Sequence, residues 1–250
     1  MNGRALAVLL LSSFLPLAAR AHGSLVDLSV YDRSEARRLP VYWHQGRAYV
    51  VGKPGNEYQV SVRNRLREEV LAIVSVDGVN VVTGETADPR QSGYVLRPGN
   101  AYDILGWRKS IGETAAFYFT SLGDSYAART GRPDNIGLIG VALFRKKREP
   151  QAIMPPAPLA RREAADAASA AAPRDEARLG TGHGRRENSP VQQVAFERAT
   201  PAAAETVILY YDSYRNLVAH GVIASSQPLI APELQPFPGA LSTFAPDPPG

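Results

Sequence analysis

Val70-Leu71-Ala72-Ile73-Val74-Ser75-Val76-Asp77-Gly78-Val79-Asn80-Val81-Val82 is the stretch on which the fold turns. Its first seven residues are almost continuously apolar and rich in β-branched side chains, the pattern of a strand buried on both faces. Asp77-Gly78 then separates two β-branched runs. A two-residue turn of that composition closes a hairpin, because a type I′ turn needs positive φ at both positions. One strand and its turn are thus fixed locally, and a strand buried on both faces needs other layers around it.

The neighbouring sequence supplies them. Tyr58, Val60 and Val62 alternate with Gln59, Ser61 and Arg63, the period of two expected of a half-buried strand. Val41-Tyr42-Trp43 faces Ala48–Val51 across His44-Gln45-Gly46-Arg47. Further short runs fall at Leu25–Tyr31, Tyr94–Leu96, Ala101–Leu105, Thr114–Thr120 and Leu138–Phe144, divided by turn residues. This spacing predicts an all-β chain folded as an antiparallel β-sandwich, immunoglobulin-like or jelly-roll-like. One helical turn is expected at Asp124–Thr130, ended by Gly131 and Pro133.

Beyond residue 145 the composition changes. Residues 146–178 carry Pro155-Pro156, the run Ala164–Ala172 and many arginines, and lack an apolar face. They read as a linker, disordered or transiently helical. Its basic residues, such as Arg145-Lys146-Lys147-Arg148 and Arg161-Arg162, are a solvated charge run or a contact for anionic envelope polymers. Residues 179–227 regain order: Val207–Tyr211 and Leu217–Ile223 around Asp212–Asn216 predict a second hairpin. Two strands are marginal alone, so this hairpin is expected to complete the sheet of the main region, 22–145. Residues 228–250 form a Pro-rich tail.

The chain begins with a different signal. Arg4, the apolar stretch Ala5–Leu17 and the small-x-small triplet Ala19-Arg20-Ala21 have the order of a secretory signal peptide over 1–21, with cleavage after Ala21. No other stretch has the ~18 apolar residues of a membrane span, so none is expected after cleavage. There is no cysteine among the 250 residues, which excludes disulfides, thiolate metal sites and a lipidated N-terminal cysteine. The formal charge of +4 loses Arg4 and Arg20 with the leader, and the remaining charge is too small to argue for nucleic acid.

Several motifs stand out as a set: Gly55-Asn56-Glu57-Tyr58, Ser75–Val81, Gly106-Trp107-Arg108-Lys109-Ser110, Asp134-Asn135, Gly140–Phe144 and Leu179-Gly180-Thr181-Gly182-His183-Gly184. Together they resemble an uncharacterised family of exported, β-rich proteins from Gram-negative proteobacteria, over roughly 25–147 and 179–223. The resemblance implies a periplasmic or envelope location and no known activity.

Candidate contact residues are Asn80, Trp107, Arg108, His183 and Arg198. An indole beside cations suits a sugar face with an acidic substituent, although Trp107 equally suits a cap on the sandwich core. Three glycines around His183 either present the imidazole to a partner or make a tight bend returning the chain to the sheet. As a general base, His183 would lean on Glu187 or Glu197. Asp77, Asn80, Glu85, Asp134 and Asn135 are calcium-type ligands without a loop pattern, and turn chemistry accounts for Asp77 and Asp134-Asn135 more simply. Cleavage after Ala21 would expose His22, and an N-terminal histidine chelates copper, as in copper polysaccharide monooxygenases. His44, His183 or His220 would then supply the second imidazole, though the downstream motifs do not resemble those enzymes.

The expectation is an exported, periplasmic or envelope-associated binding or structural protein, non-enzymatic and without cofactor, whose partner is an envelope protein or glycan. Loops at one end of the sandwich, where Asn80, Trp107, Arg108 and His183 would converge, are the expected site. The alternative is an envelope enzyme, a hydrolase built on His183 or a copper oxygenase built on His22.

Overall fold

The computed structural model describes residues 21–148 and 178–224. All of the expected leader but Ala21, the body of the linker and the Pro-rich tail lie outside these residues. Fifteen strands and two short α-helices are described, in the order β1 Ala21–His22, β2 Val26–Asp32, β3 Arg37–Arg38, β4 Val41–His44, β5 Arg47–Val51, β6 Glu57–Asn64, β7 Val70–Val76, β8 Val79–Asn80, β9 Tyr94–Leu96, β10 Ala101–Ile104, β11 Gly106–Arg108, β12 Glu113–Ser121, α1 Tyr126–Arg129, β13 Leu138–Arg145, β14 Leu179–Asn188, β15 Glu205–Asp212 and α2 Tyr214–Ala219.

They form two sheets of a sandwich. The first runs β1-β2-β6-β12-β11, with β3 on β2, β10 on β6 and β14 on β12; the second runs β4-β5-β15-β13-β7-β8, with β9 on β7. Inward-facing side chains of both sheets make one core, among them Val26, Leu28 and Val30 of β2, Tyr58, Val60 and Val62 of β6, Val74 and Val76 of β7 and Leu209 of β15. The alternation at 58, 60 and 62 is borne out residue by residue, with buried positions on one face of β6. Asp77-Gly78 turns with φ of 53° and 73°, and Gln45-Gly46 with 48° and 74°. Both β7–β8 and β4–β5 are therefore two-residue hairpins, the second tighter than the four-residue turn read from the sequence.

β7 is buried on both faces for an identifiable reason. Leu71, Ile73 and Phe144 form a second apolar layer on the outer face of the sheet, roofed by Phe196 and Ala203. The roof is the irregular segment between β14 and β15, pinned by Lys147 N–H to Glu197 O at 2.8 Å and Ala199 N–H to Arg145 O at 2.9 Å. Ordered structure thus extends past the expected linker boundary at 146. The basic run there is paired with acids: Arg145 and Arg148 meet Glu68, Lys146 meets Glu69 and Lys147 meets Glu197. Such exposed pairs stabilise weakly, but they offset the charge that the sequence offered to an anionic polymer.

Two expectations about residues 179–223 are corrected. The glycine-rich segment is no bend: it is the edge strand β14, antiparallel to β12. Its glycines answer crowding from neighbouring strands and loops, from side chains at Gly180 and Gly182 and from the Ala116 carbonyl at Gly184. A Cβ at Gly182 would run into the Tyr118 ring, which lies across the strand on the outer face. Two Arg–Glu pairs finish that face, Arg33 to Glu187 with both bonds at 2.7 Å and Arg185 to Glu57 at 2.8 and 2.9 Å. The predicted second hairpin is also wrong. Of its two runs only β15 is a strand; Ser213 accepts a hydrogen bond from Asn216 N–H as an N-cap, and Leu217 is buried from the helix α2 that follows.

β15 lies between β13, antiparallel, and β5, parallel. The parallel pair departs from the purely antiparallel sandwich expected. The chain after residue 178 therefore gives one strand to each sheet. Between them runs a buried polar chain. Tyr58 Oη and Thr181 Oγ1 are 2.6 Å apart, Thr181 Oγ1 and Tyr211 Oη are 2.6 Å apart, and Tyr211 Oη donates to Asp77 Oδ1 at 2.5 Å. Asp77 also accepts from Gly137 N–H at 2.9 Å and Thr181 N–H at 2.7 Å. It is 1% exposed, and burial raises its pKa from 3.8 to about 6 against the opposing pull of these donors. Burial likewise pushes the phenols of Tyr58 and Tyr211 well above their ordinary value.

Two outcomes follow from this packing. Gly106 faces the carbonyl of Ala115 on β12 so closely that a Cβ would collide with backbone, whereas at Gly182 it meets a ring that can swing outward. G106A should therefore cost about 2–3 kcal/mol in urea unfolding and G182A less than about 1.5, the range for overpacking; equal costs would show that Tyr118 is held as rigidly as main chain. For Asp77, the folded state keeps a proton between pH 4 and 6 that the unfolded chain has released. Stability of the native protein relative to D77N should thus fall as pH rises through that window. The fall should be on the order of 3 kcal/mol, the free energy of moving a pKa from 3.8 to about 6. Urea midpoints of the two proteins that stay parallel from pH 4 to 7 would refute the raised pKa.

Candidate functional site

The five expected contact residues are placed close together in part, but most face inward. Trp107 is buried, and its Nε1–H donates to Gly182 O at 3.0 Å while its ring packs edge-on against Phe117. Arg108 donates to Ser189 O at 2.5 Å and reaches Tyr94 Oη at 3.2 Å. Asn80 is buried in its turn, donating to Gln91 Oε1 and Ser92 O and accepting from Val82 N–H. Arg198 donates to the carbonyls of Pro89 and Gln91, with its guanidinium 4.3 Å from the Phe144 ring centre. These four side chains fasten loops and the roof over β7, and their donors and rings are occupied by the protein itself.

His183 is the exception. It is exposed on β14, with its ring 5.6 Å from Tyr126, and it lines a cavity of about 290 Å³ with Asp124, Arg129 and Thr130. Partial burial lowers its pKa, and the cations of Lys109, Arg186 and Arg129 lower it further. The carboxylates expected to support it are engaged elsewhere, Glu187 with Arg33 and Glu197 with Lys147. A neutral imidazole among cations is a poor base, since its surroundings disfavour the protonated form it would have to reach.

The other acids and histidines give no centre. Asp77 belongs to the buried chain between the sheets. Glu85 is exposed and accepts from Gln91 Nε2 at 3.2 Å. Among the described residues no group of three or more histidine and acidic side chains is placed to hold a metal ion. His22 lies in β1, but its side chain is outside the description, so the copper reading has no geometry to rest on.

The larger concavity, about 410 Å³, lies elsewhere, where β5 and β15 part. The two strands pair only from Tyr49–Tyr210 to Val51–Asp212. Below that register no pairing continues, and Arg47 and Ala48 on one side and Glu205–Ile208 on the other line the cavity. Trp43 is opposite Ala48 across the β4–β5 hairpin and shares its inward face, yet it is 54% exposed because the hairpin tip overhangs the core. Val207 joins it from β15 on the same side. Ile208, 45% exposed, and Tyr210 line the gap, with the Arg47 guanidinium 5.4 Å from the Tyr210 ring centre. At the far end Glu205 accepts from Ser24 N–H at 2.5 Å, Ser24 Oγ at 2.8 Å and Leu25 N–H at 2.9 Å.

Sequence reasoning misses this cleft. It weighs Trp107, which follows a strand, and reads Trp43 only as part of one. The available signal is position: Trp43 stands two residues before Gln45-Gly46, at the tip of a hairpin, where an aromatic side chain outruns the layer beneath it. An exposed Trp and an exposed Ile on one concave surface, with a cation and an acid at its ends, are what a contact site for another molecule requires.

Comparison with known proteins adds nothing to this geometry: no family model, no curated protein and no solved structure matches the chain.

Proposed function

We propose that this chain is an exported, non-catalytic binding protein of the bacterial envelope, and that it holds an envelope component in the cleft between β5 and β15. The cleft carries the reading: Trp43 and Ile208, from opposite faces of the sheet, both line it and keep large apolar surfaces in water. The order of basic, apolar and small residues over 1–21 supports export, and the absence of cysteine is compatible with any redox compartment. The engagement of Glu187 and Glu197 away from His183 favours binding over hydrolysis.

Export and binding are tested separately. Produced from its own start codon in a Gram-negative host, the protein should be released by osmotic shock with His22 as its first residue. A cytoplasmic product that retains Met1 would overturn export. Binding is read by co-sedimentation of the processed protein with isolated envelope fragments. Truncating an aromatic anchor at the centre of a contact costs about 2 kcal/mol or more, so W43A should weaken sedimentation by about thirtyfold. Its melting temperature should hardly move, because the side chain is half in solvent. Undiminished sedimentation of W43A would remove the cleft from the function.

A further inference from the structure

The cleft also specifies what kind of molecule fits it. In a strand, the N–H and C=O of one residue point to one side and those of the next to the other. Tyr211 N–H donates to Gly137 O, on the β13 side, at 2.9 Å. Counting back along β15, the main-chain groups of Leu209 and Val207 also face β13, and those of Tyr210, Ile208 and Thr206 face the other way. Tyr210 meets β5 there. Thr206 and Ile208 have no strand partner on that side and line the cavity instead.

The part of β15 that lines the cavity, Glu205–Ile208, is about 13 Å long at the usual rise of a strand. Its wall therefore presents donors and acceptors alternating at strand spacing, flanked by apolar side chains on both faces: Trp43 and Val207 inward, Ile208 outward. A sugar ring can stack on Trp43 but cannot match a main-chain ladder of this period. An extended polypeptide can.

We infer that the gap between β5 and β15 is a strand-acceptor site. It takes an extended segment of a partner protein, four to five residues long, whose main chain pairs with Thr206 and Ile208 and whose alternate side chains are apolar, one of them seated against Trp43. The outward Arg47 at the cleft's rim favours an acidic residue at the end of that segment nearest the hairpin tip. The inference rests on the binding role proposed above and adds the partner's chemistry and the way it is held.

A phage-displayed library of random dodecapeptides, selected on the processed protein after counter-selection on W43A, supplies the probe. Selected peptides are synthesised and their affinities measured by calorimetry. The expected peptides bind one to one and alternate apolar and polar residues. N-methylation of every second residue should lower affinity about tenfold in one register and leave it nearly unchanged in the other, the loss expected when one or two main-chain hydrogen bonds are removed. T206P and I208P both delete an N–H group that faces the gap, at positions where an edge strand tolerates proline; T206P should weaken the same peptides about tenfold, and I208P, which also removes the apolar Ile208 side chain, by more. Melting temperatures show whether each variant is folded; if one unfolds, the other and the N-methylated peptides carry the test. Peptides indifferent to N-methylation in both registers would overturn strand addition while leaving a binding cleft intact. Failure to select any peptide would overturn it as well. If W43A also keeps its hold on envelope fragments, the binding role itself falls.

Discussion

Four hydroxyl and carboxylate groups hold the two sheets in a single register. Tyr58 and Thr181 come from one sheet, Tyr211 and the Asp77 turn from the other, and each bonds the next inside the core. Apolar side chains alone would tolerate sliding of one layer over the other, since the hydrophobic effect has no direction. A chain of buried hydrogen bonds does not, because every group left unpartnered there costs about 1–3 kcal/mol. The same chain explains why a ten-residue edge strand with three glycines is well placed: Thr181, near its start, is bonded through both main chain and side chain.

Polar side chains elsewhere are used in the same way. Arg108, Asn80 and Arg198 look like recognition residues in the sequence, but they lie beside carbonyl groups that irregular backbone leaves without strand partners. An arginine in a β-rich protein with long connections can serve as an internal fastener, since its five donors satisfy several carbonyls at once. The segment after β14 illustrates the point. Arg198, Arg145 and Lys147 secure it over β7 through both side chains and main chain.

Much of this architecture is legible in the sequence wherever its cause is local. Alternation places Tyr58, Val60 and Val62; positive φ requirements place Asp77-Gly78; Gly131 and Pro133 place the end of the helical turn that follows Asp124. The failures have causes remote in sequence. Gly180, Gly182 and Gly184 resemble a bend until Ser125 is seen against the first, Tyr118 of another strand against the second and the Ala116 carbonyl against the third. Leu217-Val218 resemble a strand until Ser213 is recognised as an N-cap with Asn216 three residues on, a signal present but outweighed by the apolar run. The site is misplaced for a related reason. Which of two tryptophans is buried depends on how far each sheet extends beyond the other, and no short window of sequence records that.

The position of β14 and β15 late in the chain sets an order of events. Residues 21–148 contain most of both sheets, yet β12 has no neighbour on one side and β5 has none but β4 until residues 179–212 are available. These strand edges therefore stay open until residues 179–212 arrive. An open edge with a strong apolar face invites pairing with other chains. The intervening sequence, rich in proline and charge and poor in apolar side chains, has the wrong composition to fill either vacancy itself. Both places are thereby kept for the strands that come last, and completion of the sandwich becomes a late event that a truncated chain could never reach.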